Sequence, residues 1–248
     1  MHGWQTLIHG PHTCWFDERL FPDFSIDAFD PAYWQAQDAV TGQSRGRGVT
    51  WFVRHRGLSL VLRHYWRGGL MGKINPDRFW FHGVESSRAM AEFRLLGQLR
   101  ELGLPVPRPV AARLQRQGLW YRADLLIEQI PGARDLVHLL RERALTPEEW
   151  RAIGQVIWQL HQAGVYHSDL NAHNLLVDET GKVWVIDFDK CGLREPGPWQ
   201  AEMLARLLRS LRKESMLYKP FFWQEDGWLG FCGGYEYNLL ADKQIKKG

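Results

Sequence analysis

Two carboxylates and one carboxamide near the middle of the chain have types and spacing that suit metal-assisted chemistry. Asp169 and Asn174 are close in sequence, and Asp187 follows after two apolar runs that flank an Asp-Glu-Thr-Gly turn at residues 178–181. Apolar runs around such a turn predict a β-hairpin. Because a hairpin returns the chain to its starting point, we expect Asp187 to lie beside Asn174, where the two side chains could share bound metal.

The same stretch contains the pattern H-x-D-L-x-x-x-N, which begins at His167. In the protein-kinase catalytic loop, the Asp of this pattern accepts the proton of the attacking hydroxyl, and the Asn and a later Asp hold magnesium against the phosphates. The spacing therefore predicts Asp169 as the catalytic base and Asn174 and Asp187 as metal ligands, with ATP and Mg²⁺ as cofactors. A single Asp or Asn on a polar loop is usually a turn former, so the prediction depends on the whole set.

Length and composition favour a folded protein. The 248 residues can bury a substantial core and suit one two-lobed domain or two small ones. The chain has no apolar run of the roughly 18 residues that a membrane span needs, and its first residues lack the features of a secretory signal, so export is not expected. Cys14, Cys191 and Cys232 lie far apart, which argues against a disulfide framework or a zinc site and favours a reducing compartment.

Positive charge is concentrated in one segment, although the net charge of the chain is only +3. Between Arg45 and Arg88 the only acids are Asp77 and Glu85. This asymmetry indicates an anionic partner, and a solvated basic face is the alternative. The basic residues of this segment are Arg45, Arg47, Arg54, Arg56, Arg63, Arg67, Lys73, Arg78 and Arg88.

The beginning of the chain is harder to interpret. Residues 1–38 are rich in aromatic side chains but follow no clean helical or alternating period, so we expect an irregular lead-in that packs on a small lobe formed by residues 39–130. Gly46 and Gly48 precede a β-branched and aromatic strand, and glycines there would let backbone N–H groups approach phosphates. A plain hairpin turn is the alternative, because the full G-x-G-x-x-G pattern is absent.

Arg63 and a downstream glutamate are candidates for an ion pair near the nucleotide. Arg63 lies on a predicted strand over residues 58–65, where a kinase small lobe carries its phosphate-pairing lysine. Arginine keeps the charge but differs in geometry, and a surface arginine is the alternative. A helix is predicted over residues 86–102, with Leu102 on its apolar stripe. Glu92 lies beside that stripe and is the preferred partner of Arg63, with Glu85 as its competitor.

Pro131 and Gly132 break the chain after a predicted strand, and we place the lobe boundary there. The backbone from Glu128 to Ile130 is expected to form an adenine-facing hinge. Residues 131–248 then form the large catalytic lobe, in which a capping box at Thr146 begins a helix that ends at Gly164. The predicted fold class is α+β, a protein-kinase-like two-lobed fold with a small antiparallel β lobe carrying one helix and a larger, mainly helical lobe.

The residues around the predicted site point to a small acceptor. Ser168 stands where a regulated protein kinase has the arginine that pairs with a loop phosphate. Few residues separate Asp189 from the next predicted helix, which begins near Trp199, and no A-P-E motif follows. Both features favour a small molecule or a glycan as the acceptor over a peptide.

Several motifs resemble those of the lipopolysaccharide kinase family, and the likeness covers nearly the whole chain. The family has a protein-kinase-like fold, and its pattern shares Arg63 and Asp189 at positions where general kinases have Lys and Gly. The motifs are 46–48 (GRG), 62–70 (LRHYWRGGL), 91–93 (AEF), 103–107 (GLPVP), 169–174 (DLNAHN) and 187–192 (DFDKCG).

This resemblance implies transfer of the ATP γ-phosphate to the 4-hydroxyl of a 3-deoxy-D-manno-octulosonic acid (Kdo) sugar on a lipid A precursor. It also implies that the protein acts at the cytoplasmic face of the inner membrane of a Gram-negative bacterium, as a peripheral protein bound to an anionic membrane surface. No nucleic acid partner is expected. One alternative is a small-molecule phosphotransferase of the aminoglycoside or choline kinase type, which the basic segment disfavours. Another is a pseudokinase binding module, which the retained metal-ligand positions disfavour.

Overall fold

The computed structural model describes residues 3–45, 48–69 and 75–245, with a mixed architecture. Within these residues there are one large antiparallel sheet and six α-helices. The chain divides into two compact units. Unit 1 contains residues 1–98 and 107–130, and unit 2 contains residues 99–106 and 131–248.

In the described part of unit 1, eight strands form an antiparallel sheet. The strands are β1 (Trp4–His9), β2 (His12–Asp17), β3 (Val40–Arg45), β4 (Val49–His55), β5 (Leu58–His64), β6 (Phe79–Trp80), β7 (Pro109–Gln117) and β8 (Trp120–Glu128). Their order in the sheet is β1-β2-β7-β8-β5-β4-β3, with β6 paired to β8. Consecutive strands β4 and β5 are joined at Arg56 and Gly57, whose φ angles are 47° and 81°. Two successive positive φ values are typical of the tight turn that matches strand twist.

The prediction of an irregular lead-in is wrong for much of residues 1–38. Strands β1 and β2 form a hairpin, and β2 pairs with β7, so the segment extends the sheet. A 3₁₀ helix (Ile26–Phe29) and α1 (Pro31–Gln35) follow. The large side chains of Phe21 and Trp34 are fully buried in the core of unit 1. The segment is therefore a structural part of the sheet and its core.

Helix α2 (Arg88–Glu101) carries the side chain that meets Arg63. Phe93, Leu96 and Leu99 are buried, as the helical spacing predicts. Leu102 is 60% exposed and lies beyond the end of the helix, so its assignment to the apolar stripe is wrong. Helix α1 precedes residue 39, so it lies outside the small lobe predicted over residues 39–130, where one helix stays the prediction.

Up to residue 245, the described part of unit 2 forms four α-helices and several short strands. The predicted capping box is confirmed, because Thr146 and Glu149 exchange side-chain and backbone hydrogen bonds. None of the described helices combines the length and the hydropathy needed to cross a membrane. The elements are β9 (Arg134–Asp135), α3 (Leu136–Glu142), α4 (Pro147–Gln162), β10 (Val165–Tyr166), β11 (Leu175–Val177), β12 (Val183–Val185), β13 (Gly192–Leu193), α5 (Trp199–Leu217) and α6 (Glu225–Ile245).

Helices α4 and α6 approach each other closely at two glycines. A Cβ added to Gly154 would lie 2.1 Å from the carbonyl oxygen of Phe231, and one added to Gly234 would lie 2.1 Å from that of Arg151. Only glycine permits this distance between backbones, at the cost of some helix propensity. The close contact fixes α4, which delivers the chain into the loop that follows β10.

Candidate active site

His167 begins the candidate catalytic loop and is fully buried. Its Nδ1 lies 3.3 Å from the backbone N of Asp169, and its Nε2 lies 3.0 Å from the carbonyl oxygen of Ile186. Because the Asp169 N–H can only donate, Nδ1 must accept and Nε2 must carry the hydrogen. Burial lowers the pKa of the imidazole, which favours this neutral form. The histidine therefore links the loop to the strand that precedes Asp187.

The loop is closed on itself by amide side chains. Asn171 and Asn174 both donate from Nδ2 to the backbone carbonyl oxygen of Asp169, at 3.0 and 2.9 Å. The carboxylate of Asp169 is not used in these bonds, and its side chain is 57% exposed. Asn174 is buried at the end of a 3₁₀ helix (Ala172–Asn174). The loop thus holds the Asp169 backbone in place and leaves its carboxylate accessible.

The predicted hairpin after Asn174 is confirmed. Leu175 pairs with Val185 across β11 and β12, and the N–H of Ile186 donates to the carbonyl oxygen of Asn174 at 3.0 Å. Asp187 is the next residue, so the hairpin returns it to the vicinity of Asn174. Its φ is 65°, a left-handed conformation that is uncommon outside glycine and costs backbone energy.

Ser168 ties the catalytic loop to the segment after Asp187, a role that sequence patterns did not indicate. Its hydroxyl donates to the carbonyl oxygen of Asp189 at 2.8 Å, and its backbone N–H lies 3.3 Å from the Sγ of Cys191. In the sequence, Ser168 was notable only because regulated protein kinases have an arginine at this position. Together with the His167 bond, these contacts hold residues 186–191 against the loop from two successive positions.

In unit 1, Arg63 and Glu92 form a close ion pair with an N–O distance of 2.6 Å. Glu92 is only 3% exposed. The competing residue, Glu85, instead pairs with Arg94 at 2.8 Å, and its side chain is 74% exposed. The structure thus resolves the choice in favour of Glu92.

Tyr65 adds a hydrogen bond to this ion pair, a role that the sequence motifs did not indicate. Its hydroxyl donates to the same carboxylate oxygen of Glu92 at 2.5 Å, and the Arg63 guanidinium lies 5.1 Å from the centre of its ring. Burial and the neighbouring carboxylate raise the pKa of Tyr65, so it remains a donor. Residues two apart on a strand share a face, so the sequence could place Tyr65 beside Arg63, but its bond to Glu92 depends on tertiary packing.

We expect Arg63 and Glu92 to be coupled in nucleotide binding. A double-mutant cycle with Arg63→Ala and Glu92→Gln should give losses of MgATP affinity that are smaller together than their sum, because either change disrupts the same pair. Binding titrations of the four proteins measure the coupling. Glu85→Gln is the matched control and should be additive with Arg63→Ala. Strict additivity of Glu92→Gln would contradict a shared role.

Of the two glycines predicted to approach phosphate, the structure describes only Gly48. Gly46 lies outside the described residues. At Gly48 an added Cβ would lie only 1.9 Å from Nε1 of Trp66, whose ring packs edge-on against His64 at 4.8 Å. The indole therefore requires glycine at this position for a packing reason, and an approach of the loop to phosphate stays a prediction.

The predicted hinge follows the end of β8. The side chain of Glu128 pairs with Arg108 at 3.1 Å, and its N–H donates to the Arg108 carbonyl oxygen at 2.9 Å. The next residue, Gln129, donates to Ser59 at 2.9 Å, which leaves Ile130 as the last residue of unit 1. The structure fixes this backbone at the end of the strand, and its contact with adenine stays a prediction.

The basic segment is not simply a solvated face. The guanidinium of Arg88 lies 4.8 Å from the ring centre of Phe79 and 5.3 Å from that of Tyr65. Desolvation lowers the pKa of Arg88, although an arginine stays charged at neutral pH. Arg67 also lies over Phe79, at 5.1 Å. Exposed members such as Arg78 are therefore distinct from members that pack on aromatic rings.

The fit of the predicted metal site can be judged from its donors. Among the described residues, no group of three or more His, Cys, Asp and Glu side chains is arranged to hold a metal ion. Magnesium, however, usually keeps several waters and takes one or two carboxylates with substrate phosphates. Asn174 donates through Nδ2, which leaves its Oδ1 as the possible ligand beside Asp187. These oxygen donors fit magnesium bound together with a nucleotide.

Comparison with known proteins supports the same class of site. A family model described as "Lipopolysaccharide kinase (Kdo/WaaP) family" matches residues 31–235. A 3-deoxy-D-manno-octulosonic acid kinase of Vibrio parahaemolyticus is 51% identical over 211 residues, covering 85% of this chain and 88% of that relative. The protein of the same name from Haemophilus influenzae is 47% identical over 205 residues, covering 79% of this chain and 85% of the relative.

A third relative with that name, from Vibrio cholerae, is 47% identical over 210 residues, covering 85% of this chain and 89% of its own. Identity at this level over most of both chains, together with a family match that includes every candidate site residue, establishes common descent. The chain belongs to the lipopolysaccharide kinase (Kdo/WaaP) family.

Proposed function

We propose that the protein is an ATP-dependent Kdo kinase of lipopolysaccharide core biosynthesis, which phosphorylates the 4-hydroxyl of the Kdo sugar on a lipid A precursor. The relatives named Kdo kinase carry the choice of acceptor. The observation in this chain that carries the chemistry is the hairpin, since it returns Asp187 to Asn174 while Asp169 keeps an accessible carboxylate.

In this proposal, five polar residues of the candidate site in unit 2 have roles in the reaction. Asp169 orients the acceptor hydroxyl and accepts its proton as the oxygen attacks the γ-phosphorus. The bond from that phosphorus to the bridging oxygen breaks, and ADP leaves with the electron pair. Asn174 and Asp187 would hold magnesium, which supplies positive charge to the phosphate oxygens. Ser168 and His167 position the segment that carries Asp187.

The residues of unit 1 are proposed to bind the nucleotide. Arg63 is the cation for the phosphates, and Glu92 and Tyr65 hold its guanidinium in one direction. Gly46 and Gly48 would offer backbone N–H groups, and the backbone from Glu128 to Ile130 would meet adenine. The proposal includes a division of the fold into two lobes at Pro131.

The choice of acceptor is tested by supplying competing substrates. With ATP and Mg²⁺, we expect phosphate transfer to a Kdo-bearing lipid A precursor and none to kanamycin or choline. Transfer to either of these cationic acceptors would favour the small-molecule phosphotransferase alternative. MgATP binding without turnover on any acceptor would favour a pseudokinase.

We also propose that the enzyme works as a peripheral protein on the cytoplasmic face of the inner membrane. One surface of unit 1 combines exposed apolar and basic side chains. Trp80 and Leu119 are 50% and 65% exposed, and the Trp80 ring lies 4.3 Å from that of Trp120. Arg78 and Arg116 are exposed nearby in the chain. Indole rings favour the membrane interface, and each basic residue gains about 1 kcal/mol near anionic headgroups.

This surface predicts reversible, salt-sensitive binding to vesicles that contain phosphatidylglycerol. The double variant Trp80→Ser/Arg78→Gln should sediment with vesicles less than the parent protein, because it removes an interfacial ring and a charge. Arg209→Gln, on an exposed position of α5, is the matched charge control and should bind as the parent does. Binding that ignores salt, or that the double variant retains in full, would contradict the proposed surface.

A further inference from the structure

One face of helix α5 contacts the catalytic loop at successive residues. The Sδ of Met203 lies 3.4 Å from the backbone N of His167, and the Oγ of Ser210 accepts from the N–H of Ala172 at 3.1 Å. Met203 and Ser210 are two helical turns apart and share a face. Arg206 lies between them on that face, so the helix presents it to the middle of the loop.

Arg206 is placed at the carboxylate of the proposed base. Its Nη1 lies 3.7 Å from Oδ1 of Asp169, and the two side chains are 46% and 57% exposed. This distance is too long for a hydrogen bond. Across the described part of the chain, Asp169 is the one ion-pair partner of Arg206. The guanidinium thus has donors to offer a ligand that reaches Asp169.

The catalytic loop supplies no such cation itself. Residues 167–174 contain neither Lys nor Arg. The residue two positions after the base is Asn171, and its side chain is engaged with the Asp169 backbone. An arginine or lysine of unit 2 that acts near the reacting hydroxyl must therefore come from outside this loop. Helix α5 provides Arg206.

We propose that Arg206 binds the carboxylate of the acceptor sugar and so selects a sugar acid. This inference rests on the proposed function, in which the acceptor hydroxyl lies within about 3 Å of Asp169. A carboxylate on the same sugar ring as that hydroxyl lies only a few ångströms away, within reach of a guanidinium next to the base. The planar fork of arginine matches the two oxygens of a carboxylate.

The test varies the enzyme and the acceptor together. Arg206→Gln should raise the KM for a Kdo-bearing lipid A precursor about 10- to 100-fold, the usual effect of losing a charged hydrogen bond. With the same acceptor converted to its carboxamide, parent and variant should differ little, because the anionic partner is already absent. The KM for ATP should stay unchanged, and Arg206→Lys should recover part of the affinity.

Arg209→Gln is the matched control, since it removes an equal charge from an exposed position of the same helix. It should leave both acceptors unaffected. Equal losses on the acid and the carboxamide would overturn the proposal and assign Arg206 to Asp169 or to the transferred phosphoryl group. An unchanged KM for the acid would also overturn it. Failure of the parent enzyme to phosphorylate either acceptor would instead refute the proposed function.

Discussion

Asp169→Asn is expected to lower kcat by about 100- to 10,000-fold, the range that positioned proton transfer contributes, with MgATP affinity nearly unchanged. The hydrogen bonds that close the loop use the Asp169 backbone, so the variant keeps them. What it loses is the proton acceptor and one negative charge. Single-turnover transfer and MgATP titration measure the two quantities separately.

A matched control for this variant is Asp38→Asn. Asp38 is exposed and has a φ of 51°, a conformation that asparagine also tolerates, so kcat should not change. If Asp169→Asn weakened MgATP binding as much as it slowed transfer, Asp169 would be a structural residue and not the base.

Loss of the Asp187 carboxylate is expected to reduce magnesium-dependent ATP affinity itself. Because Asp187 has a φ of 65°, Asp187→Asn is the better variant, since asparagine accepts this backbone while alanine adds strain. Loss of an outer-shell partner costs about 10- to 100-fold in metal affinity, and loss of a direct ligand should cost at least that much. Titration of ATP at several magnesium concentrations provides the measurement.

The matched control for Asp187→Asn is again Asp38→Asn, which should keep the full magnesium dependence. ATP binding without magnesium should be similar in all three proteins. An Asp187→Asn variant with the MgATP affinity of the parent would remove Asp187 from the metal site, and its φ angle would then need another explanation.

The parts of the site that follow local rules were predictable from sequence. The Asp-Glu-Thr-Gly turn between apolar runs predicted the hairpin, and the capping box at Thr146 predicted the helix that leads to the loop. Both depend on residues a few positions apart, where turn and capping chemistry act. The pairing of Arg63 with Glu92 could be predicted from the helical period and from the strand that precedes the helix.

The first hairpin was missed because its sequence lacks the usual pattern. Strand β1 lies at the edge of the sheet, and most of its residues are exposed, so polar and apolar side chains do not alternate. The usable signal was Gly10, which has a φ of 55° in a two-residue turn between His9 and His12.

The contacts of Ser168, Tyr65 and Arg206 could not be read from sequence, for a different reason. Each joins elements that are distant along the chain, such as the catalytic loop and α5, and their distances depend on tertiary packing. Residue type alone gives a serine, a tyrosine or an arginine no role. Their roles depend on which side chain the fold brings opposite them.

The central claim is that this site transfers the γ-phosphate of ATP to Kdo on a lipid A precursor. The most direct measurement is to incubate the protein with ATP, Mg²⁺ and that acceptor, and to locate the added group by fragment mass spectrometry and by ³¹P–¹H correlation. The account predicts one phosphate, on the 4-hydroxyl of the Kdo sugar, that forms about 100- to 10,000-fold more slowly with Asp169→Asn. A phosphate on another part of the lipid, or ATP hydrolysis with no phosphorylated product, would contradict it.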